Sequence, residues 1–217
     1  YRIPGGQRYR LPSHLTVEGD WSSAAFFLCA GAMSREGITV DGLSLPTRQG
    51  DSALLPLLRQ MGAEVNLSSG CITVRKGRLR ATDIDARPIP DLIPPLSVLA
   101  AAAEGGSHIQ NARRLRYKES DRLQGIAELL NSLGGCLTVD GDGLLIHGVS
   151  HLRGGTVDPM GDHRLAMSAA LAALSADAPV TVRDADCVSK SYPAFWADFQ
   201  SLKGEAPCPA PSETPSV

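Results

Sequence analysis

Gly19-Asp20-Trp21-Ser22-Ser23-Ala24, Pro90-Asp91-Leu92-Ile93-Pro94-Pro95 and Gly161-Asp162-His163-Arg164-Leu165-Ala166 are three versions of one step along the chain. In each, an aspartate opens an apolar, alanine-rich run, and the three aspartates stand 71 residues apart and then 71 again. A period of that length means copies of one supersecondary unit. Outward from each aspartate the same order reads: a strand before it, a helix after it, a second strand, a second helix and a hairpin.

In copy one, Leu15–Glu18 reads as the strand, Ser22–Met33 as a buried helix and Ile38–Val40 as the next strand. Gln49-Gly50-Asp51 opens a helix whose apolar face is Leu54, Leu55, Leu57, Leu58 and Met61, closed by Gly62 where a C-terminal glycine is favoured. Ala63–Arg75 then reads as a hairpin turning at Ser68-Ser69-Gly70. Copy two gives a strand around Thr82-Asp83-Ile84, a helix over Leu92–Ala103, a strand at His108–Gln110, a helix opened by Ser120-Asp121 and a hairpin over Leu137–His147. Copy three gives Thr156-Val157, a helix over His163–Ala176, a strand at Val180–Val182 and a last helix over Ala194–Leu202, with no third hairpin. The expected fold class is α/β, three βαβαββ pseudo-repeats (about 14–77, 78–150 and 151–203) forming one domain.

Composition sets bounds. A chain of 217 residues is enough for one sizeable domain. A net charge of −2 argues against a general nucleic-acid or membrane-surface binder. No apolar run reaches membrane-spanning length, and no secretory leader is evident. The cysteines, at 29, 71, 136, 187 and 208, show no metal-ligand spacing and read as reduced thiols of a cytosolic protein. The chain begins at Tyr1, which reads as a fragment or processed piece, and its Gly-, Arg- and Pro-rich first 13 residues read as a connector. Residues 204–217, with four prolines and little apolar material, read as a disordered tail.

The copies differ where chemistry is expected. Between strand and second helix, copy two carries Arg113, Arg114, Arg116, Lys118, Glu119, Asp121 and Arg122, whereas copy one has only Arg48 and Asp51. An ordinary loop would carry such charges paired with one another in water. Cations beside a helix N-terminus, however, oppose the helix dipole and call for an anion to compensate. Asp162 reads as an N-cap, which accounts for Asp20 and Asp91 equally; the neighbouring Arg164 again runs against the dipole. His163 beside it is a structural or a functional histidine with equal weight. The prolines at 90, 94 and 95 stiffen the chain around Asp91 at little cost to the helix. Lys190, a solvated lysine if taken alone, occupies the corresponding place in copy three. Equivalent ends of three pseudo-symmetric units converge on one face. That face would carry Lys118, Arg122, Arg164 and Lys190 with Asp91 and Glu119, a set suited to a small polyanion and proton transfer.

Lys118-Glu119-Ser120-Asp121-Arg122-Leu123, Gly161-Asp162-His163-Arg164-Leu165-Ala166-Met167, Ile89-Pro90-Asp91, Val17-Glu18-Gly19-Asp20-Trp21-Ser22-Ser23-Ala24 and Gln49-Gly50-Asp51 together resemble the 5-enolpyruvylshikimate-3-phosphate synthase family over about residues 7–203. The resemblance implies the enolpyruvyl transferase fold, an inside-out α/β barrel, with this chain as the C-terminal half. Residues 1–16 would be the crossover from an N-terminal domain, 17–203 the C-terminal domain and 204–217 the tail. It implies transfer of the enolpyruvyl group of phosphoenolpyruvate to the 5-hydroxyl of shikimate 3-phosphate, without metal or organic cofactor, in a cytoplasmic and monomeric enzyme. By the same resemblance Asp91 binds the shikimate hydroxyls and is a candidate base, Lys118 sits at the reacting hydroxyl, and Glu119 is a candidate acid/base for the methylene carbon. Arg122, Arg164 and Lys190 would grip phosphoenolpyruvate, with His163 in support. Arg114 stands where some family members carry an asparagine that contacts shikimate. The other half would be the partner domain, and the chain without it would expose an unpaired sheet edge and be inert or weakly ligand-binding. A related transferase acting on a UDP-amino sugar shares the repeats but should lack the Lys118–Arg122 run, and an RNA 3′-phosphate cyclase would need a nucleotide-attaching histidine.

Overall fold

The structure, a computed structural model, describes residues 1–68 and 70–202. The tail expected at 204–217 lies outside the described residues.

Each repeated aspartate begins a helix. Asp20 accepts from the backbone N–H groups of Ser22 and Ser23 and caps α1 (Trp21–Met33), a contact worth about 1 kcal/mol. The helix is apolar on every side, and of its 13 residues only Ser22, Ser23 and Met33 escape full burial, as such a helix must. Asp91 lies in a 3-10 turn, Pro90–Leu92, that leads into the wholly buried α3 (Ile93–Ala101). Asp162 caps α5 (His163–Ala172) through the N–H of Arg164 at 2.9 Å. These three helices pack on one another at the centre of the main core.

The second helices lie outside them. A 3-10 turn, Gly50–Ala53, runs into α2 (Leu54–Gln60); after it Gly62 takes φ +95°, a conformation that favours glycine. Asp121 caps α4 (Arg122–Ser132), which buries Leu123, Ile126, Leu129 and Leu130 and turns Gln124, Glu128 and Asn131 to solvent. Gly125 lets α4 sit close to α5: a Cβ there would lie 2.5 Å from Leu165 and 2.6 Å from Met160. The last helix is α6 (Phe195–Ser201).

Three small sheets flank the helices. β1 (Ile38–Val40), β2 (Glu64–Ser68) and β3 (Cys71–Arg75) form an antiparallel sheet in the order β1-β3-β2. β4 (Ile84–Asp85) runs parallel to β5 (Gly106–Gln110), followed by β7 (Gly143–His147) and β6 (Cys136–Asp140), both antiparallel. β8 (Gly155–Val157) and β9 (Val180–Val182) form a parallel pair. The expected α/β class is what the structure has. No helix of the described residues is long and apolar enough to cross a membrane.

One expected strand is absent. Leu15–Glu18 forms no strand, and residues 1–17 are exposed throughout. Tyr9, Leu11, Leu15 and Val17 alternate along this segment, as apolar residues of a half-buried strand do, but no second layer covers them. A strand gains its stability from the face it buries, and this one buries none. Two helices are shorter than expected: α3 gives its first turn to the proline-bearing 3-10 turn, and α5 tightens into a 3-10 turn at Ala173–Ser175.

A second, smaller core joins α1, α5 and α6. Phe195 is its centre, edge-on to Phe26 at 6.3 Å and Phe27 at 5.8 Å and stacked on Phe199 at 5.4 Å. Phe195→Ala should therefore destabilise the chain by about 3–5 kcal/mol. Trp196→Phe should cost far less, since the indole is only half-buried. Urea unfolding of both variants measures the difference.

Candidate active site

The N-terminal ends of α3, α4 and α5 meet at one side chain. Arg122 is the first residue of α4, and the cap at Asp121 turns it inward between the aspartates of copies two and three. Its guanidinium is 1 % exposed, and all three nitrogens are engaged. Nε donates to Asp162 Oδ2 at 2.7 Å and Nη2 to Asp162 Oδ1 at 3.2 Å, a two-point clamp on a carboxylate that is itself 0 % exposed. Nη1 donates to Asp91 Oδ1 at 2.8 Å, and Nη2 also donates to Glu119 Oε2 at 2.6 Å. Ser120 Oγ adds a bond to Asp162 Oδ2 at 3.1 Å. Asp162 thus caps α5 and neutralises the buried arginine at once. Sequence reasoning accounts for the cap alone, because nothing in the spacing tells which carboxylate a buried cation will meet.

The remaining charges surround this anchor. Lys118 Nζ lies 3.1 Å and Arg164 Nε 3.6 Å from Asp91 Oδ1, and Arg164 Nη1 reaches the Asp91 carbonyl at 3.4 Å. Lys190, from copy three, donates to Glu119 Oε1 at 3.1 Å. Asp91, Lys118, Glu119, Arg122, Arg164 and Lys190 are therefore gathered into one ionic network. The compensation that the cations at the start of α4 call for comes, in this chain, from its own carboxylates.

Burial would raise the Asp91 carboxyl, but Arg164, Lys118 and Arg122 outweigh it and hold it below the ordinary range. Burial also opposes the charge on Glu119. Its own backbone N–H, Lys190 and Arg122 overcome that and hold it down at about 2. His163 is buried, and burial together with the charge of Arg164 lowers its proton affinity, so the ring is neutral at neutral pH. Its Nδ1 has no hydrogen-bond partner among the described residues.

Arg114 does not join the network. It lies on the 3-10 turn Arg113–Tyr117 and lines an open cleft with Arg87, His108, Gln110, Asn111 and Arg113. A site residue that sequence reasoning missed is Asp51, whose carboxylate accepts the hydroxyl of Ser22 beside this network. Its signals were its place, 71 residues before Arg122, and the Gln49-Gly50-Asp51 segment.

Two outcomes follow. Asp162→Ala leaves a buried guanidinium short of its main partner and should cost about 3–5 kcal/mol in urea unfolding. Glu119 titrates near 2 in the folded chain against an ordinary 4.5. Its contribution to stability is complete above the unfolded value and drains as pH falls from about 4.5 towards about 2. The stability gap between the parent chain and Glu119→Gln should accordingly narrow over that window; a gap that stays constant would contradict the network.

The family model of EPSP synthase (3-phosphoshikimate 1-carboxyvinyltransferase) matches residues 1–199. The chain is 42% identical over 203 residues to a 3-phosphoshikimate 1-carboxyvinyltransferase of Clostridium kluyveri, covering 94% of this chain and 47% of that protein. It is 46% identical over 204 residues to the one of Methanocella arvoryzae, covering 93% of this chain and 48% of that protein. A solved structure of EPSP synthase from Acinetobacter baumannii superposes with a TM-score of 0.77 at 30% identity, covering 87% of this chain and 46% of that one. The chain spans about half the length of the curated relatives it matches.

Proposed function

The chain belongs to the EPSP synthase family, and we propose that it forms the C-terminal half of an enzyme that moves the enolpyruvyl group of phosphoenolpyruvate to the 5-hydroxyl of shikimate 3-phosphate, releasing phosphate. In this reading residues 1–16 are the crossover from an N-terminal domain and 17–203 are the C-terminal domain. The two substrates are held between the halves of one cytoplasmic protein.

The observation that carries the proposal is the gathering of Asp91, Lys118, Glu119, Arg164 and Lys190 around one buried guanidinium, on the face where helix N-termini meet. Preorganised cations and dipoles of this kind favour charge that develops on a carboxylate and a phosphoryl group. Glu119 occupies Arg122 Nη2 and Lys190 Nζ in this chain. An incoming phosphoenolpyruvate carboxylate takes over those donors and, with Arg164, completes the anion site. Glu119, released from two cations, becomes a stronger base and can carry the proton delivered to the methylene carbon. Asp91 orients the shikimate hydroxyls and accepts the proton of the attacking one, with Lys118 beside it. The new C–O bond forms at carbon 2 of phosphoenolpyruvate, and phosphate leaves as the methyl proton returns to a base. His163 stays neutral and supports Arg164. Arg114, on its separate turn, borders the shikimate end.

The test uses the intact protein, with both halves present. Phosphate release from phosphoenolpyruvate should require shikimate 3-phosphate, and Glu119→Gln should lower kcat by about 10²–10⁴-fold, as expected for loss of a general acid–base. Release that needs a UDP-amino sugar instead, or no release from a folded protein, would overturn the proposal.

A further inference from the structure

Among the described residues β1 has one strand beside it where its counterpart in copy two has two. The sheet of copy one runs β1-β3-β2 and leaves one edge of Ile38–Val40 without a strand, whereas β5 lies between β4 and β7. In copies two and three that edge is filled by the strand leading to the repeated aspartate, β4 on β5 and β8 on β9, both parallel. The two pairings point to the same partner for β1. Moved back by one 71-residue period, Ile84 opposite Ile109 and Asp85 opposite Gln110 become Ser13 opposite Ile38 and His14 opposite Thr39. Moved back by two periods, Gly155–Val157 on Val180–Val182 gives the same two pairs and adds Leu15 opposite Val40.

Burial agrees with this register. Ala86 and Val157, which correspond to Leu15, are 1 % and 2 % exposed, whereas Leu15 is 66 % exposed. Their neighbours Asp85 and Thr156 face water, as the polar His14 would. Beside the free edge lies an opening of about 680 Å³, lined by Ala24 and Phe27 of α1, by Ile38, Thr39 and Val40 of β1, and by Leu43. The chain is already anchored next to it. Gly19 N–H donates to the Gly42 carbonyl at 2.8 Å, two residues past the end of β1, and Leu15 is four residues from that anchor.

We propose that residues 13–15 are a strap that closes on the free edge of β1 as a parallel strand, with the Leu15 side chain entering the opening beside α1. The structure shows the strap open. Closed, it repeats the bonds of the other copies. Ala86 N–H donates to the Gln110 carbonyl at 2.9 Å, which places Leu15 N–H on the Thr39 carbonyl; Arg183 N–H donates to the Val157 carbonyl at 3.0 Å, which places Asp41 N–H on the Leu15 carbonyl. The occupant is the chain's own segment and not a second copy, because the anchor at Gly19 holds Leu15 near Val40 at an effective concentration that a second molecule in dilute solution does not reach. Closing also covers an edge that is otherwise a template for pairing with other chains.

The strap is stitched to the segment that runs into Asp51. Glu18 accepts the Thr47 hydroxyl at 3.0 Å, and the Gln49 side chain donates to the Gly19 carbonyl at 2.9 Å and accepts the Trp21 N–H at 3.0 Å. Closing it therefore fixes the entry to α1 from both sides. In the reading proposed above these residues also join the two halves of the protein, but the strap stands without that reading.

The test uses the chain as given. His14→Cys with Thr39→Cys should form a disulfide within one molecule, located by peptide mass mapping, about tenfold faster than Thr16→Cys with Thr39→Cys, which presents the same face two residues out of register. Leu15→Asp should speed hydrogen exchange at the Asp41 amide by about tenfold while the amides of β3 keep their rates, which separates an opened strap from a misfolded chain. Equal rates for the two cysteine pairs, or an Asp41 amide that exchanges alike in Leu15→Asp and the parent chain, overturn the inference. So does a disulfide that joins two molecules, which would make the occupant a second copy.

Discussion

The guanidinium of Arg122 lies in the protein interior, and the carboxylate of Asp162 is what makes that position tolerable. Taking either charge out of water alone would cost several kcal/mol, and only close, two-point pairing offsets it. The pair joins the first turn of α4 to the first turn of α5, so it sets the distance between two repeats. Asp91 then attaches α3 to the same guanidinium. Three helix starts are held by one side chain, and every other charged group of the site takes its position from that anchor.

This arrangement explains how cations can gather at helix N-termini, where the dipole disfavours them. The protein interleaves them with its own carboxylates, so Lys118, Arg164 and Lys190 each rest against Asp91 or Glu119. Such a network is ordered before any ligand arrives. An anion entering it exchanges partners with groups already in place, and little reorganisation accompanies the change in charge.

Much of this was legible in the chain. The caps at Asp20 and Asp162 could be read because an N-cap is a local matter of one side chain and the next N–H groups; Asp91, read as a third cap, lies instead inside the proline-bearing 3-10 turn, and its side chain caps neither that turn nor α3. The strands at Ile38–Val40 and Val180–Val182 could be read because β-branched residues between breakers form short strands in most settings. The grouping of Lys118, Glu119, Arg122, Arg164 and Lys190 followed from placing equivalent ends of the repeats together. What escaped depends on contacts distant in sequence. Leu15–Glu18 has the composition of a strand and lacks a layer to lie on. Arg122 reads as a member of the charged face, but its burial shows only when Asp162, 40 residues on, is brought to it. Arg114 sits four residues from Lys118, yet the 3-10 turn between them sends the two into different surroundings. Asp51 drew notice as a sparse counterpart of a richer loop and as part of the Gln49-Gly50-Asp51 segment, but its bond to Ser22, 29 residues earlier, could not be read from spacing.

The close approach at Gly125 gives the site a mechanical dimension. A single hydrogen, in place of a methyl, separates the α4 backbone from Leu165 and Met160 on and beside α5. A side chain added at this point would have to push aside the ends of Leu165 and Met160, so the seam between two repeats is sensitive to bulk while every ionisable group stays chemically intact.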